Sequence, residues 1–268
     1  MTESSLPTES EVLLRMHGRV AELTLHRPQR ANAISIGMVA DLHAAMDALD
    51  RDHDVRAVVL TGSGDRSFCA GADLVQRQQM TIDQVQEFLH DLNAVIARLD
   101  AFRAPVIAAI GGAARGGGLE LALACDVRWA AETATFALPE VTLGIIPGAG
   151  GTQRLAHAVG PARAKELLIT GRIVGIDEAE RIGLVHGRCP SGSDVRAFAL
   201  QYAAQHFERG APIAIEAALN AVDAAWGRPA PEGLAVERQC YERTLQSRDR
   251  VEALQAFAQK RSPRFTGN

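Results

Sequence analysis

Two glutamates, each set beside a glycine-rich turn, carry the clearest chemistry in this chain. Glu120 closes the segment Ala113-Ala114-Arg115-Gly116-Gly117-Gly118-Leu119-Glu120. Glu140 stands in Leu138-Pro139-Glu140, followed by Gly144-Ile145-Ile146-Pro147-Gly148-Ala149-Gly150-Gly151-Thr152-Gln153. Glycine lets a ligand approach the backbone closely. The first N–H groups of a helix have no internal partner and carry partial positive charge. Bare amides beside two carboxylates suit a reaction in which charge develops on an oxygen while protons move next to it. With two carboxylates on one double bond, one takes a proton from water and the other delivers a proton to carbon.

Taken singly, each feature has a plainer reading. A glycine cluster between strand and helix is often only a tight turn, Glu120 suits an arginine partner or a helix N-terminus, and Glu140 suits a cap or a surface loop. A third segment, Phe68-Cys69-Ala70-Gly71-Ala72-Asp73-Leu74, is a small-residue turn after a strand. Small side chains expose backbone N–H groups there, and Ala70 N–H is the expected partner of Gly117 N–H at an oxyanion. Cys69 has no histidine nearby in sequence and reads as a buried structural thiol. Neither GxGxxG nor GK[ST] is present, so dinucleotide and P-loop chemistry are not indicated.

The elements that must position these residues alternate. Val12–Met16 and Val20–Leu25 flank His17-Gly18-Arg19 as a hairpin. Ile36–Leu49 has helical spacing, Val55–Leu60 is a buried strand, and residues 61–65 form a loop. Gln84–Leu99 is an amphipathic helix with Val85, Leu89, Leu92, Val95 and Ile96 on one face. Pro105–Ile110 is a strand running into the first glycine cluster, Leu119–Ala124 a helix, and Asp126–Ala130 a strand. After Gly151 the pattern is almost wholly helical, with a boundary near Pro190-Ser191-Gly192-Ser193. Val195–His206, Ala211–Ala225 and Gly233–Lys260 each read as one helix. The expected organisation is a disordered tail over 1–10, an α/β core over 11–190 and a helical region over 191–268.

The 268 residues are 47% hydrophobic, enough for a sizeable core. A net charge of −4 argues against nucleic acid or an anionic membrane as partner. Four scattered cysteines with no CxxC pair point to neither zinc nor a disulfide framework. No segment resembles a signal peptide or a membrane span, so a cytoplasmic location is expected.

Together the three segments resemble the crotonase, or enoyl-CoA hydratase, superfamily. The likeness runs from about Val12 to Phe265 and rests on Phe68–Leu74, on Arg115–Ala122, and on Pro139-Glu140 through Gly148–Leu155. It implies a spiral of ββα units with a C-terminal helical trimerisation region, assembled as a homo-trimer or as a hexamer made of two trimers. The carry-over makes Glu120 and Glu140 the catalytic pair and Ala70 and Gly117 the oxyanion-hole amides. Gly71, Ala72 and Asp73 join these in binding the CoA thioester. It also implies that Phe257 and Lys260, in Ala256-Phe257-Ala258-Gln259-Lys260-Arg261, reach a neighbouring subunit's CoA from one helical turn apart. No metal or redox cofactor is implied, because CoA enters as part of the substrate.

A nearer likeness is to methylglutaconyl-CoA hydratases that also bind AU-rich RNA. That group carries lysines after the first oxyanion loop, where this chain has Val75-Gln76-Arg77-Gln78-Gln79-Met80. RNA binding is therefore not expected. Arg115 also departs from the apolar residue usual before the glycine triplet; of reading an acidic acyl tail and facing solvent, solvent is the expectation. The activity implied is syn addition of water across the α,β double bond of a 2-enoyl-CoA. A Δ3–Δ2 enoyl-CoA isomerase, which needs mainly one glutamate, is the alternative, as is a methylglutaconyl-CoA hydratase with an RNA-binding role.

Overall fold

A computed structural model describes residues 10–268; the tail expected over 1–10 lies outside these but for Ser10. The chain opens with the antiparallel hairpin β1 (Val12–His17) and β2 (Val20–Leu25), then α1 (Ile36–Arg51). Three turns of a spiral follow. The first is β3 (Ala57–Gly62), β4 (Ser67–Cys69), α2 (Leu74–Gln79) and α3 (Ile82–Asp100). The second is β5 (Val106–Ile110), β6 (Ala113–Arg115) and α4 (Gly117–Leu123). The third is β7 (Val127–Ala130), β8 (Thr135–Ala137), a 3-10 turn at Glu140–Leu143, and α5 (Gly151–Val159). Then come α6 (Pro161–Thr170), β9 (Val174–Gly175), α7 (Ile176–Arg181) and β10 (Gly187–Arg188). The chain closes with α8 (Val195–His206), α9 (Pro212–Asp223), α10 (Ala230–Leu245) and α11 (Arg248–Ala258).

Each turn gives one strand to a six-stranded sheet, ordered β1-β2-β3-β5-β7-β10, and one to a four-stranded sheet, ordered β4-β6-β8-β9. Pairing is parallel through β2, β3, β5 and β7, and through β4, β6 and β8. This is the expected spiral of ββα units. The strands of the small sheet's parallel core have three residues each, too few to show a period, and they pass as loops in sequence.

The larger sheet is covered on both faces, which is why β3 and β5 read as unbroken apolar runs. Alternate residues serve two cores. Val58, Leu60, Val106, Ala108 and Ile110 pack with α1 and α3, while Ala57, Val59, Ile107 and Ala109 pack against Val195, Ala199 and Ala203 of α8. Helix α8 thus belongs to the core layer, and the boundary expected at residue 190 falls one helix too early.

The helix expected over Gly233–Lys260 is two helices. Ser247 accepts a hydrogen bond from Arg250 N at 3.1 Å and caps α11 afresh, breaking the run at Gln246. Among the described residues no helix is long and apolar enough to cross a membrane.

Candidate active site

The two loops that begin α2 and α4 lie against each other, and glycine makes that contact geometrically feasible. A Cβ on Gly118 would sit 2.3 Å from Cys69 O, and one on Gly71, at φ +86, would sit 2.8 Å from Arg115 O. At Gly116 (φ +49) it would sit 2.9 Å from Glu140 Oε1. The first loop is also held from behind by residues 27–35. Ala31 and Asn32 adopt the left-handed conformation, and the Asn32 amide donates to Ser63 O at 3.0 Å and Ser67 O at 2.9 Å.

This clamp decides which amide faces substrate. Ala70 N–H donates to Ala31 O at 3.0 Å, so the oxyanion role expected for Ala70 is incompatible with its hydrogen bonding. Two residues on, Ala72 forms a parallel bridge to Ile34 that uses the flanking groups: Ile34 N–H donates to Gly71 O at 2.8 Å, and Asp73 N–H to Ile34 O at 2.9 Å. Ala72's own N–H is left pointing away from Ile34. Among the described residues it has no acceptor, and neither has Gly117 N–H, the first donor of α4. A Cβ built on Gly117 would lie 3.8 Å from Ala72 N, so the two free amides are neighbours. The motif's two alanines flank one glycine, and only the backbone pairing tells them apart.

Asp73, expected at the CoA thioester, is likewise committed elsewhere. One carboxylate oxygen caps α2 by accepting from Val75 N and Gln76 N, and the other pairs with Arg27 at 3.0 Å. Arg115 is pinned to Thr135 O at 2.6 Å and Thr135 Oγ1 at 2.8 Å and is half-buried, correcting its expected solvent-facing position.

Glu120 and Glu140 line one cavity of about 300 Å³ with Ala72 and Gly117. They are only 3% and 8% exposed. Glu120 Oε1 accepts from Ala149 N and Gly151 N, both at 2.8 Å, where the second glycine-rich turn enters α5. Burial raises the Glu120 pKa, and these two donors pull the other way. Glu140 has less support, with only its own backbone N–H lowering its pKa. Its Oε2 is buried with no hydrogen-bond partner, and burial, with the neighbouring Glu120 charge, pushes its pKa up to about 7. Glu120 is thus the better-supported anion and Glu140 the carboxyl that holds a proton near neutrality.

Phe257 and Lys260 are not brought to this cavity within the chain. Phe257 is 85% exposed. Lys260 lies beyond α11 at φ +53, in a turn where its N–H donates to Phe257 O and Arg261 N–H to Ala256 O. The two are therefore not a helical pair. Among the described residues no His, Cys, Asp and Glu group is arranged to hold a metal ion. Sequence reasoning missed the two backbone donors on Glu120, although their glycine-rich turn was visible, and it missed Arg77, which lines the same cavity.

The spiral fold, the loop pair and the carboxylate pair define a class, and comparison with known proteins agrees. The enoyl-CoA hydratase/isomerase family model matches residues 15–268, and the chain belongs to that family. It is 42% identical to the enoyl-CoA isomerase/hydratase fer4 of Mycosarcoma maydis, over 92% of this chain and 93% of that one. It is 39% identical to the mitochondrial methylglutaconyl-CoA hydratase of Rattus norvegicus, over 98% and 86% respectively. The crystal structure of an enoyl-CoA hydratase from Bacillus anthracis superposes with a TM-score of 0.92 at 39% identity, covering 96% of this chain and 100% of that one.

Proposed function

We propose that this protein is an enoyl-CoA hydratase that adds water across the α,β double bond of a 2-enoyl-CoA. The observation that carries the reading is the pair of buried carboxylates in one cavity, one accepting from two backbone amides and one with a buried, unpartnered oxygen. In this reading the thioester oxygen sits between Ala72 N–H and Gly117 N–H. As enolate charge develops on it, each donor is worth about 3 kcal/mol. Glu120 takes a proton from water, the hydroxyl goes to the β-carbon, and Glu140 delivers its proton to the α-carbon. The enzyme then recovers its starting state when a proton passes from Glu120 to Glu140. The carboxyls titrate as a coupled pair, and this division describes their dominant states.

The same reading places the protein in a trimer or hexamer, with Phe257 and Lys260 at a neighbouring subunit's CoA. Support comes from apolar side chains left exposed on the helical end, among them Val222, Leu234, Tyr241 and Leu254. The test follows the ultraviolet absorbance of a conjugated enoyl thioester such as crotonyl-CoA in D2O. The expected result is loss of absorbance with one deuterium at the α-carbon. No loss from any 2-enoyl-CoA, together with conversion of a 3-enoyl-CoA into its conjugated isomer, would replace hydration by isomerisation.

A further inference from the structure

The turn that holds Glu120 is itself held from behind by two side chains, one neutral and one charged. Asn93 of α3 donates to Leu89 O and to Gly148 O, both at 2.7 Å. Gly148 O and Ala149 N–H share one peptide group, so Asn93 polarises the same unit that donates to Glu120. Arg154 stands in the first turn of α5. Its Nη1 donates to Ala149 O at 3.2 Å, and its Nη2 pairs at 2.8 Å with Asp100, the last residue of α3. The guanidinium lies directly against Gly150, where a Cβ would sit 2.1 Å from Nη1. The residues on either side of Gly150, Ala149 and Gly151, are the two that donate to Glu120.

Holding the turn does not require a charge, since the neutral Asn93 amide reaches a carbonyl of the same turn at a shorter distance. A cation in this place is costly. The Arg154 side chain is only 14% exposed, and its Nε is buried with no hydrogen-bond partner. What the charge adds is its effect on Glu120, where it favours the anion. Backbone, not water, separates the two groups, so bulk solvent screens the attraction little.

The other charges around this pair are disposed to let that effect through. Glu140 and Arg77 line the active cavity with Glu120. On its far side Arg154 borders a second cavity of about 340 Å³, where Asp126, Asp223, Arg128 and His157 join Asp100. Arg128 is committed to Leu184 O and Cys125 O, and His157 stacks on Trp226. Burial pushes Asp126 up to about 6 and raises Asp223 as well. These two acids therefore offset Arg154 less as the pH falls towards 5, and the acid side of neutrality is where its charge counts most.

We propose that Arg154 is a positioning residue for Glu120: anchored by Asp100, it fixes the glycine-rich turn through Ala149 O and supplies the positive charge that keeps Glu120 ready to accept a proton. The inference rests on the hydratase reading for what Glu120 does with that proton.

The kcat/KM for crotonyl-CoA is measured from pH 5 to pH 7 in the wild type, Arg154→Met, Arg154→Lys and Asn93→Ala, with butyryl-CoA binding as the control for fold. Relative to wild type, Arg154→Met should lose about 3- to 10-fold more at pH 5 than at pH 7, the cost of removing a nearby opposite charge. Arg154→Lys keeps the charge without the planar fork and should stay within about twofold of the wild-type pH dependence, whatever its overall rate. Asn93→Ala loosens the turn with no change of charge and should lower the rate about equally at both pH values. If Arg154→Met does not bind butyryl-CoA, the double variant Asp100→Asn/Arg154→Met removes both members of the ion pair and should show the same added loss at pH 5. An unchanged pH dependence in Arg154→Met, or in the double variant where that is the folded one, overturns the proposal. So does the same acid loss in Arg154→Lys or Asn93→Ala, because the hold on the turn and not the charge would then be its cause. If the wild type hydrates no 2-enoyl-CoA, the hydratase reading falls, and carboxyl-carbon NMR of glutamate-labelled protein still decides the role of Arg154. The Glu120 signal, identified by its loss in Glu120→Gln, should titrate at higher pH in Arg154→Met, and an unmoved titration overturns the proposal.

Discussion

Replacing Glu140 by glutamine should make the protein relatively more stable as pH rises. In the folded chain the carboxyl is raised from 4.5 to about 7, first by burial and then by the charge on Glu120. The unfolded chain ionises near the ordinary value. Between the two pKa values the unfolded state has released its proton and the folded state has not, so rising pH favours unfolding. The penalty is absent below about 4.5, grows across that window, and is complete above about 7. At 1.36 kcal/mol for each tenfold change in proton affinity, the gross figure is about 3 kcal/mol. The interior responds to a charge more strongly than a dry medium does, which reduces this to about 1–2 kcal/mol.

Glu140→Gln keeps the side-chain shape and removes the titration. An amide at the unpartnered Oε2 position has its own cost, but that cost does not vary with pH. The readout is therefore the difference between the mutant's melting-temperature change at pH 8 and at pH 5, at matched protein concentration so that any assembly equilibrium cancels. For a chain of this size, about 2–4 °C accompanies each kcal/mol. The mutant should gain about 2–8 °C relative to wild type between the two pH values. A pH-independent difference, or a relative loss at pH 8, would refute the claim that the Glu140 carboxyl is held protonated by its surroundings.

Three further outcomes follow from the geometry. Replacing the Ala72 amide by an ester should lower kcat on crotonyl-CoA by roughly 100- to 1,000-fold. The same change at Ala70 should instead weaken the loop, since that N–H is bonded to Ala31 O; larger kinetic damage at Ala70 than at Ala72 in folded protein would reverse the assignment. Gly118→Ala, whose Cβ meets Cys69 O at 2.3 Å, should cost about 1–3 kcal/mol by thermal unfolding, and a neutral result would show that the loops are not in contact. Lys260→Gly should relieve a left-handed backbone by about 1 kcal/mol while raising KM for acyl-CoA in a salt-sensitive way. An unchanged KM, or a monomer by light scattering, would remove the cross-subunit contact.

The architecture was legible where elements were long or apolar. The hairpin, α1, α3, β5 and α8 are close to their expected bounds, because period and apolar runs report burial directly. The small sheet was not legible, since β4, β6 and β8 have only three residues apiece and are defined by their neighbours. At the site, Glu120, Glu140 and Gly117 were readable from glycine-rich context. The choice of Ala72 over Ala70 was not, because it depends on which N–H groups the Ile34 bridge and the Ala31 carbonyl use. Arg77 was passed over for a related reason: on a surface helix an arginine means little until its place in the cavity is seen.

The most direct measurement for the paired-carboxylate account is turnover of crotonyl-CoA by Glu120→Gln, Glu140→Gln and the double variant, with saturated acyl-CoA binding as the control for fold. Each single variant should fall at least about 100-fold in kcat with binding retained. The double variant should fall little further, because groups that act as a unit are not additive. Near wild-type turnover in either single variant, in a protein that still binds acyl-CoA, would contradict the account.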